Sequence, residues 1–337
     1  MPRAARLHGA GDLRLADEAP PWSPPEGWSR IAVTSVGICG SDLHWFTEGG
    51  IGEVGLEHPV VPGHEFAAVA LDGPYAGRRV AVDPAIPCGE CEQCRAGHGN
   101  LCPDVRFAGH RDLDGGLQEQ LAWPERLLHP LPDFLSNDAG ALLEPLGVAI
   151  HAVGLAHVRL GHDVLVVGAG PIGVLAVQVA LRSGARRVFV TEPLAHRRGS
   201  ALRAGADAAW APETAPDALA ETTAGRGVDV VVEAAGTDDA ISTAARSARP
   251  GARVALAGIP SEARSSFPAA EARRRGLSFV LVRRMHDTYP RAIALATSGI
   301  DLDALVTARF PLTDAAAAFT AAAARHGDKT VVEVSPG

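Results

Sequence analysis

Four cysteines stand close together in one proline- and glycine-rich stretch, with the spacing Cys-x2-Cys-x2-Cys-x7-Cys at Cys88, Cys91, Cys94 and Cys102. Four thiolates at this spacing can close a tetrahedron around Zn²⁺, as in most structural zinc sites. Disulfide pairing is the alternative, but the N-terminal residues show no signal peptide that would send the chain to an oxidising compartment. The spacing therefore predicts a structural zinc site.

The fifth cysteine, Cys39, lies in a second group of candidate ligands. It stands shortly before Ser41 and His44, while His64 and Glu65 follow in Pro62-Gly-His-Glu65 and Glu144 lies further on. One thiolate, one imidazole and one or two carboxylates can hold a catalytic zinc with a position open for substrate. Each residue also has a structural explanation: a lone cysteine or histidine is often a core residue, and Glu144 could cap a helix. Spacing alone does not join them.

A glycine-rich turn, Gly168-Ala-Gly170-Pro171-Ile172-Gly173, matches the dinucleotide fingerprint. It follows a predicted strand directly and opens a predicted helix, which is the context that the pattern requires. The first glycine permits the tight turn, the second lets the backbone approach a pyrophosphate, and the third lets helix and strand pack closely. Pro171 suits the first helical turn, where no amide donor is needed.

An acidic residue at the end of the next predicted strand indicates which dinucleotide is bound. Glu192 stands 19 residues after Gly173, where a carboxylate can accept hydrogen bonds from the adenosine ribose and would repel a 2′-phosphate. We therefore expect NAD rather than NADP, although Arg197 and its neighbour could soften that preference. Ala235 and Gly258 are also assigned to the cofactor site. The alternative for Glu192 is a solvated acid at a strand end.

The sequence around the candidate site residues divides into two domains of different character. Residues 1–149 are rich in proline and glycine with short apolar runs, which predicts an irregular β domain. Residues 150–282 alternate apolar strands and helices, which predicts a parallel sheet covered on both faces. Residues 283–337 are expected to return to the first domain. The strands predicted in the alternating region are 164–167, 187–191, 208–210, 228–233, 253–257 and 277–282, its helices 172–183, 195–204 and 239–248; the tail is predicted to hold helices near 291–298 and 313–324 and a strand at 330–334.

Bulk properties exclude several classes of protein. The chain has 337 residues, 47% of them apolar, and 31 basic against 39 acidic side chains give a net charge of −8 without a basic block, so nucleic acid is not expected as a partner. The apolar run 164–181 has the length of a membrane span, but the glycine turn explains it better. We expect a soluble, cytoplasmic protein with a small-molecule substrate.

The ordered motifs resemble the zinc-dependent medium-chain alcohol and polyol dehydrogenases, and within that family sorbitol, xylitol and L-idonate 5-dehydrogenases. The motifs are Gly-Ile-Cys39-Gly-Ser-Asp-Leu-His44, Val-Pro-Gly-His64-Glu65, the four cysteines, Glu144-Pro-Leu-Gly-Val-Ala-Ile-His151 and the glycine turn, with Gly327-Asp-Lys-Thr330 favouring the idonate type. The resemblance implies a GroES-like catalytic domain joined to a Rossmann domain, with the active cleft between them.

The resemblance also implies roles for the second ligand group. Cys39 and His64 would bind catalytic zinc, and Glu65 and Glu144 would be ligands or partners of a zinc-bound water. The proton of the substrate hydroxyl would leave through Ser41 and His44 as hydride passes to the cofactor. Two departures concern the substrate pocket: Trp45 stands where sorbitol dehydrogenases carry tyrosine, and Arg284 follows a second arginine that could favour an acidic sugar.

We therefore expect an NAD-dependent zinc enzyme with two Zn²⁺ per chain that oxidises a secondary alcohol of a polyol, sugar acid or cyclitol. An amino-cyclitol or L-threonine-type dehydrogenase is an alternative, because a few pocket side chains decide the substrate. A catalytically silent binding or structural protein on the same scaffold is an alternative of another class. The apolar edge strand at 277–282 would be a liability if left bare, which predicts a homodimer or homotetramer.

Overall fold

The computed structural model describes residues 1–18 and 24–335. The chain divides into two compact units, one of Met1–Glu144 with Tyr289–Gly337 and the other of Pro145–Thr288. The domain limits expected from the sequence, at 149 and 283, stay predictions. Among the described residues no helix is both long and apolar enough to cross a membrane.

The first unit opens with short strands and three short helices. Its strands here are β1 (Arg3–Gly9), β2 (Asp12–Asp17), β3 (Trp28–Gly37), β4 (Gly50–Ile51), β5 (Val54–Gly55), β6 (Glu65–Ala70), β7 (Arg79–Val82), β8 (Ala85–Ile86), β9 (Arg106–Phe107), β10 (Gln120–Pro124) and β11 (Leu128–Pro130). Its helices are α1 (Gly40–Glu48), α2 (Glu92–Arg95) and α3 (Asn137–Ala141).

The second unit alternates strands and helices. The helix α4 (Leu143–Ala156) leads into it across the boundary. Its strands are β12 (Asp163–Val167), β13 (Arg187–Thr191), β14 (Ala208–Trp210), β15 (Val228–Glu233), β16 (Ala248–Leu256) and β17 (Ser278–Leu281), and its further helices are α5 (Pro171–Arg182), α6 (Ala195–Arg203), α7 (Ala215–Thr222), α8 (Asp238–Ser247) and α9 (Ala269–Arg274).

All six strands of this unit run parallel, in the order β14-β13-β12-β15-β16-β17. Every residue of β12 and β15 is buried, as expected for strands covered by helices on both faces. Leu165, Phe189 and Val231 lie in the core on one face of the sheet. The strand order reverses between β12 and β15, which is the doubly wound arrangement of the Rossmann fold. The predicted fold class is confirmed.

The tail of the chain completes the first unit. It contains α10 (Tyr289–Thr297), β18 (Val306–Pro311), α11 (Ala315–Ala323) and β19 (Lys329–Glu333). The larger sheet has the order β11-β7-β6-β3-β19-β18, with β10 also paired to β3. Phe66 packs edge-on against Trp123, with ring centroids 5.8 Å apart, and Phe46 contacts Phe319 at 5.3 Å. This core holds the sheet that carries the candidate metal ligands.

Several elements were not predicted individually, among them the helices α1, α7 and α9 and the strand β18. The helices have nine, eight and six residues, too short for an apolar repeat to stand out. In β18, exposed and partly buried residues alternate and none is fully buried, so it lacks the apolar run of a central strand. The predicted elements of the second unit are present: β13, β14 and β15 have the predicted limits, and the ends of the others are shifted by up to five residues.

Candidate functional site

The four cysteines of the long loop converge. The Sγ atoms of Cys88, Cys91, Cys94 and Cys102 all lie within 4.8 Å of one another, and all five cysteines of the chain are free thiols. Backbone N–H groups point at the sulfurs; the N–H of Cys91 donates to Cys88 Sγ and that of Cys94 to Cys91 Sγ, both at 3.4 Å. The N–H groups of Glu90 and Cys91 lower the pKa of the Cys88 thiol to about 7. Burial instead raises the pKa values of the Cys94 and Cys102 thiols. Four convergent sulfurs fit a tetrahedral Zn²⁺, whose binding would displace their protons.

A second set of ligand atoms lies in the same unit. Single ligand atoms of Cys39, His64 and Glu65 all lie within 4.8 Å of one another. The pairing of β3 with β6 explains their approach, because Gly37 at the end of β3 is opposite Glu65 at the start of β6. Cys39 follows β3 after one intervening residue and is the N-cap of α1. A thiolate, an imidazole and a carboxylate form a donor set that fits catalytic Zn²⁺.

Asp42 orients the imidazole of this set and was missed by the sequence analysis. Its Oδ1 lies 3.3 Å from His64 Nδ1, and its Oδ2 accepts a hydrogen bond from the N–H of Cys39 at 3.0 Å. Burial opposes ionisation of Asp42, but the charge of His64 outweighs it with the help of these hydrogen bonds, and the pKa of Asp42 lies below its ordinary value. A carboxylate that engages one ring nitrogen fixes the imidazole and leaves the other nitrogen for a metal.

The only lysine of the sequence, Lys329, forms an ion pair with Glu65. Both side chains are buried, at 2% and 1% exposure, and Lys329 Nζ also donates to the carbonyl of Ile38 at 2.9 Å. Burial lowers the pKa of Lys329, but the charge of Glu65 outweighs it and raises that pKa. A Cβ at Gly37 would overlap Glu65 Oε2. The last strand thus supplies a counter-charge that the sequence did not indicate.

Glu144 is buried in the first turn of α4 and lies outside the set of mutually close ligand atoms. Burial raises its pKa to about 8; the positive charge of His64 opposes this shift and the negative charge of Glu65 adds to it. A neutral acid can donate a hydrogen bond, whereas a zinc ligand has to be ionised. Its assignment as a ligand or as a partner of zinc-bound water stays a prediction.

Aromatic rings surround the set on one side. Phe107 lies 5.2 Å from the ring of His64, measured between centroids, and 6.2 Å from that of His110. The indole of Trp45 meets His110 edge-on at 4.9 Å and is almost fully buried. Trp45 therefore belongs to the wall near the candidate metal ligands. This position is compatible with its predicted role beside the substrate, which stays a prediction.

Ser41 and His44 lie on α1, three residues apart and hence on neighbouring positions of one helical face. Both are partly buried. The Nδ1 atom of His44 is 3.0 Å from Glu48 Oε1, one turn further along the helix, and the Glu48 side chain is about half exposed. The helix therefore carries polar side chains at these three positions, and the predicted roles of Ser41 and His44 stay predictions.

The glycine turn of the second unit has the geometry of a phosphate cradle. Gly168 adopts a φ of +95°, which favours glycine, and a Cβ at Gly173 would overlap the Gly168 carbonyl. Above Gly170, Nη1 of Arg197 lies 3.9 Å from the position of an added Cβ, and no other non-neighbouring atom of the described residues lies within 4 Å. Pro171 begins α5 directly after this turn. An open glycine, a helix N-terminus and a guanidinium fit a pyrophosphate.

Glu192 is buried directly after β13, and both its carboxylate oxygens accept backbone hydrogen bonds. The N–H of Ala169 donates to Oε2 at 2.8 Å and that of Leu194 to Oε1 at 3.0 Å. The side chain of Arg198 donates to the carbonyls of Glu192 and Pro193. The carboxylate is therefore held against the glycine turn. Its place suits an acid that accepts hydrogen bonds from a ribose.

The remaining predicted residues also lie in the second unit. Ile172 is partly buried in the first turn of α5, Ala235 is exposed just after β15, and Gly258 is partly buried just after β16. Arg284 lies after β17 with a φ of +56°, a left-handed conformation. Their assignments to cofactor and substrate stay predictions.

Comparison with known proteins places this geometry in a family. A family profile described as zinc-binding dehydrogenase matches residues 171–298, and one described as alcohol dehydrogenase GroES-like domain matches residues 25–133. Sorbitol dehydrogenase of Bacillus subtilis (strain 168) is 35% identical over 319 residues, which cover 92% of this chain and 90% of that protein.

Two solved structures share the fold over nearly the whole chain. L-Idonate 5-dehydrogenase from Escherichia coli str. K-12 substr. MG1655 superposes with a TM-score of 0.92 at 26% identity, covering 99% of this chain and 98% of that one. A zinc-binding dehydrogenase from Sinorhizobium meliloti 1021, bound to NADP, gives a TM-score of 0.89 at 30% identity with 99% of both chains covered. The resemblance stated from the motifs is confirmed: this chain belongs to the zinc-dependent medium-chain polyol dehydrogenase family and is an oxidoreductase of the polyol dehydrogenase type.

Proposed function

We propose that this enzyme oxidises a secondary hydroxyl group of a polyol or sugar acid, with NAD⁺ as the hydride acceptor and one catalytic zinc ion. The observation that carries the proposal is the convergence of Cys39, His64 and Glu65, with Asp42 behind the imidazole. A structural protein has no need of a convergent thiolate–imidazole–carboxylate set in which the imidazole and the carboxylate are buried. Retention of the set argues against a catalytically silent scaffold.

We assign Cys39 and His64 to the catalytic zinc as direct ligands. Glu65 is already paired with Lys329, so this carboxylate is shared between the ammonium group and the ion. Glu144 is proposed to lie beside the ion rather than to bind it directly, because it is buried nearby but lies outside the set of mutually close ligand atoms. The second zinc is assigned to Cys88, Cys91, Cys94 and Cys102.

The bound groups supply Lewis acidity at a substrate oxygen and a hydride acceptor at the substrate carbon. The protein's own part is to place the hydroxyl group and to remove its proton. We assign the first step of proton removal to Ser41, and passage toward solvent to His44, whose Nδ1 already contacts the half-exposed Glu48. Trp45 shapes the apolar wall beside the hydroxyl, without the phenol that tyrosine would bring.

Glu192 supports NAD rather than NADP as the cofactor. A 2′-phosphate would bring its negative charge against a buried carboxylate that two amides already hold in place. The related Sinorhizobium meliloti dehydrogenase was crystallised with NADP, so membership of the family does not by itself decide between the two dinucleotides. Arg197, near Gly170, is assigned to the phosphates of either dinucleotide.

The names of the relatives support a polyhydroxylated substrate. Sorbitol is a neutral polyol and L-idonate a sugar acid, and the chain resembles a dehydrogenase of each. Both substrates carry a secondary hydroxyl group beside further hydroxyl groups. We propose this shared chemistry as the substrate class, with Arg284 assigned to a substrate carboxylate.

A substrate panel tests the proposal. Zinc-loaded protein is assayed with sorbitol, xylitol, L-idonate, D-gluconate, L-threonine and scyllo-type cyclitols, each with NAD⁺ and with NADP⁺, by absorbance of the reduced cofactor. We expect turnover of a polyol or sugar acid, faster with NAD⁺. A preference for threonine or an amino-cyclitol would instead favour the alternative function, that of a biosynthetic amino-cyclitol or L-threonine-type dehydrogenase. If protein that holds two zinc ions turns over none of these substrates, the result would favour the alternative of a catalytically silent protein.

We further propose that the enzyme is a homodimer or homotetramer in the cytoplasm. The strand β17 lies at the edge of the six-stranded sheet, and Leu281 on it is 77% exposed. Pairing of this edge with a second copy would cover it. Five free thiols suit a reducing compartment. Light scattering tests the assembly: a monomer mass at micromolar concentration would exclude it.

A further inference from the structure

A buried acid in the second unit has no part in the proposed reaction. Glu233 is the last residue of β15, and its side chain is 1% exposed. The strand β15 lies beside β12, where the strand order of the sheet reverses. In open α/β sheets, ligands bind outside the carboxyl ends of the strands at this point. Glu233 thus lies directly beneath the place where a dinucleotide crosses the sheet.

Hydrogen bonds from Glu233 fix two turns at once. Its side-chain Oε1 accepts from the N–H groups of Ala235 at 2.7 Å and Gly236 at 2.6 Å, in the turn after β15. Its main-chain carbonyl accepts from the N–H groups of Ala257 at 2.7 Å and Gly258 at 3.1 Å, in the turn after β16. One residue therefore ties together the ends of two neighbouring strands.

These two turns pack against each other and against the fingerprint turn. A Cβ at Gly258 would overlap the backbone nitrogen of Gly236, and one at Gly236 would overlap the carbonyl oxygen of Ile259. A Cβ at Gly168 would lie 3.0 Å from that of Ala235. Such close backbone packing leaves no room for a shift of one turn alone. The exposed rim formed by Ala235 and Ile259 is therefore supported by close backbone packing beneath it.

Burial of this acid is costly. Its second oxygen, Oε2, is buried and has no hydrogen-bond partner within residues 1–18 and 24–335. Burial raises the pKa of Glu233, although the amide groups of Gly236 and Ala235 oppose the shift. An apolar side chain at the same place would avoid the cost of burying this polar group. The hydrogen bonds that the acid accepts from the turn amides offset part of this cost, and an apolar side chain could not form them.

We propose that Glu233 is a positioning residue of the cofactor site, which sets the turns after β15 and β16 for the nicotinamide mononucleotide half of the dinucleotide. The assignment to this half follows from topology. Each half of a doubly wound sheet binds one mononucleotide, and Glu192 with the glycine turn belongs to the half formed by β12, β13 and β14. The turns held by Glu233 belong to the other half. The inference rests on the proposed cofactor site.

Direct binding tests the assignment without turnover. Dissociation constants are measured by calorimetry for AMP, which fills the adenosine half alone, and for NADH, or for NADPH if the wild type prefers it. Glu233→Leu removes the acceptor for the amides of Ala235 and Gly236, so the turn after β15 is no longer held in place. We expect the Kd of the reduced dinucleotide to rise at least about tenfold, which corresponds in free energy to about one good hydrogen bond. The Kd of AMP should change by less than about twofold.

Glu233→Gln is the matched variant. Its amide oxygen still accepts from Ala235 and Gly236, and its size is unchanged, so we expect binding of the reduced dinucleotide within about threefold of wild type. Recovery by Gln but not by Leu separates positioning from a general loss of packing. If Glu233→Leu does not accumulate as folded protein, the same two dissociation constants are measured for Gly258→Ala. The Cβ of that variant would overlap the backbone of Gly236 and displace the turns.

Equal weakening of AMP and NADH in Glu233→Leu would overturn the inference, as would no weakening of either. Gln behaving like Leu would also overturn it, since it would mean that shape and acceptor are not what matters. A wild-type protein that binds AMP but neither reduced dinucleotide would instead refute the proposed function. The two failures are therefore distinguishable.

Discussion

The two clusters of candidate metal ligands are built in opposite ways. The four-cysteine cluster (Cys88, Cys91, Cys94 and Cys102) comes from one loop of 15 residues and lies near the surface. The Cys39 cluster (Cys39, His64 and Glu65) joins segments that only the β3–β6 pairing brings together, and two of its three members are buried. Local spacing creates the first cluster, and strand register creates the second.

The surroundings of the clusters differ as well. Backbone N–H groups stabilise the sulfurs of the four-cysteine cluster. Charged side chains surround the Cys39 cluster: Asp42 beside the imidazole and Lys329 beside the carboxylate. A buried charge is costly unless it is paired, so the buried cluster needs partners that the exposed one does without. The difference predicts that mutations near the two clusters will have separable effects.

The largest effect is expected from removal of the thiolate of the Cys39 cluster. Cys39→Ser should lower kcat/KM by at least about a thousandfold, or ~4 kcal/mol of transition-state stabilisation, because the catalytic ion loses a ligand. Zinc content should fall from two ions per chain to one, measured by mass spectrometry. The matched variant Cys91→Ser should also hold one ion but keep activity at low temperature. Full activity and two ions in Cys39→Ser would break the comparison.

The next effect concerns the buried ion pair. In metal-free protein, Lys329→Met leaves Glu65 charged and unpaired in the interior, which should cost about 3–5 kcal/mol of unfolding free energy. Chemical denaturation measures it, and Lys329→Arg should lose less because it keeps the charge. As a control, Arg14→Met breaks the exposed pair with Asp12 and should leave stability unchanged. Equal results for the two methionine variants would mean that Glu65 needs no counter-charge.

A smaller effect is expected from the residue behind the imidazole. Asp42→Asn weakens the acceptor at His64 Nδ1, and loss of such partners typically lowers metal affinity about 10–100-fold. Competition with a chelator measures the affinity for the zinc ion at the Cys39 cluster. The four-cysteine cluster serves as internal control, since its affinity should not change. A uniform loss at both clusters would show that Asp42 acts on folding as a whole.

The most gradual effect is a pH dependence, because it builds up over several pH units. The pKa of Glu144 is raised to about 8 in the folded protein, so between its unfolded value and pH 8 the native state binds more protons than the unfolded state. Stability of metal-free protein should therefore fall as pH rises through this range, by up to ~1.4 kcal/mol per unit. Glu144→Gln should flatten the slope in denaturation midpoints from pH 5 to 8. An unchanged slope in that variant would assign the titration elsewhere.

The sequence was most informative where the signal is local. The strands at 187–191, 208–210 and 228–233 match the structure to the residue, because each is a short, mostly apolar run that follows a glycine within three residues. The four-cysteine cluster was evident from spacing alone. The turn at 168–173 was assigned correctly to a strand–turn–helix unit, since its glycines stand next to an apolar run on either side.

The sequence was least informative where function depends on register. Asp42 reads as part of a short polar motif, and its contact with His64 exists only because β3 pairs with β6. Lys329 is 264 positions from Glu65 and meets it through the pairing of β19 with β3. Glu233 reads as an ordinary strand-end acid, and only the packing of three turns reveals what it holds. Such pairings are set by tertiary structure, which single-sequence patterns do not encode.

The location of the metal tests the central claim most directly. Crystals of the zinc-loaded enzyme, measured on both sides of the zinc absorption edge, should show two anomalous peaks per chain. We predict one peak inside the four-cysteine cluster and one at about 2.3 Å from Cys39 Sγ and about 2.0–2.1 Å from a ring nitrogen of His64. A single peak at the four-cysteine cluster, with fully occupied zinc in solution and none near Cys39, would contradict the account.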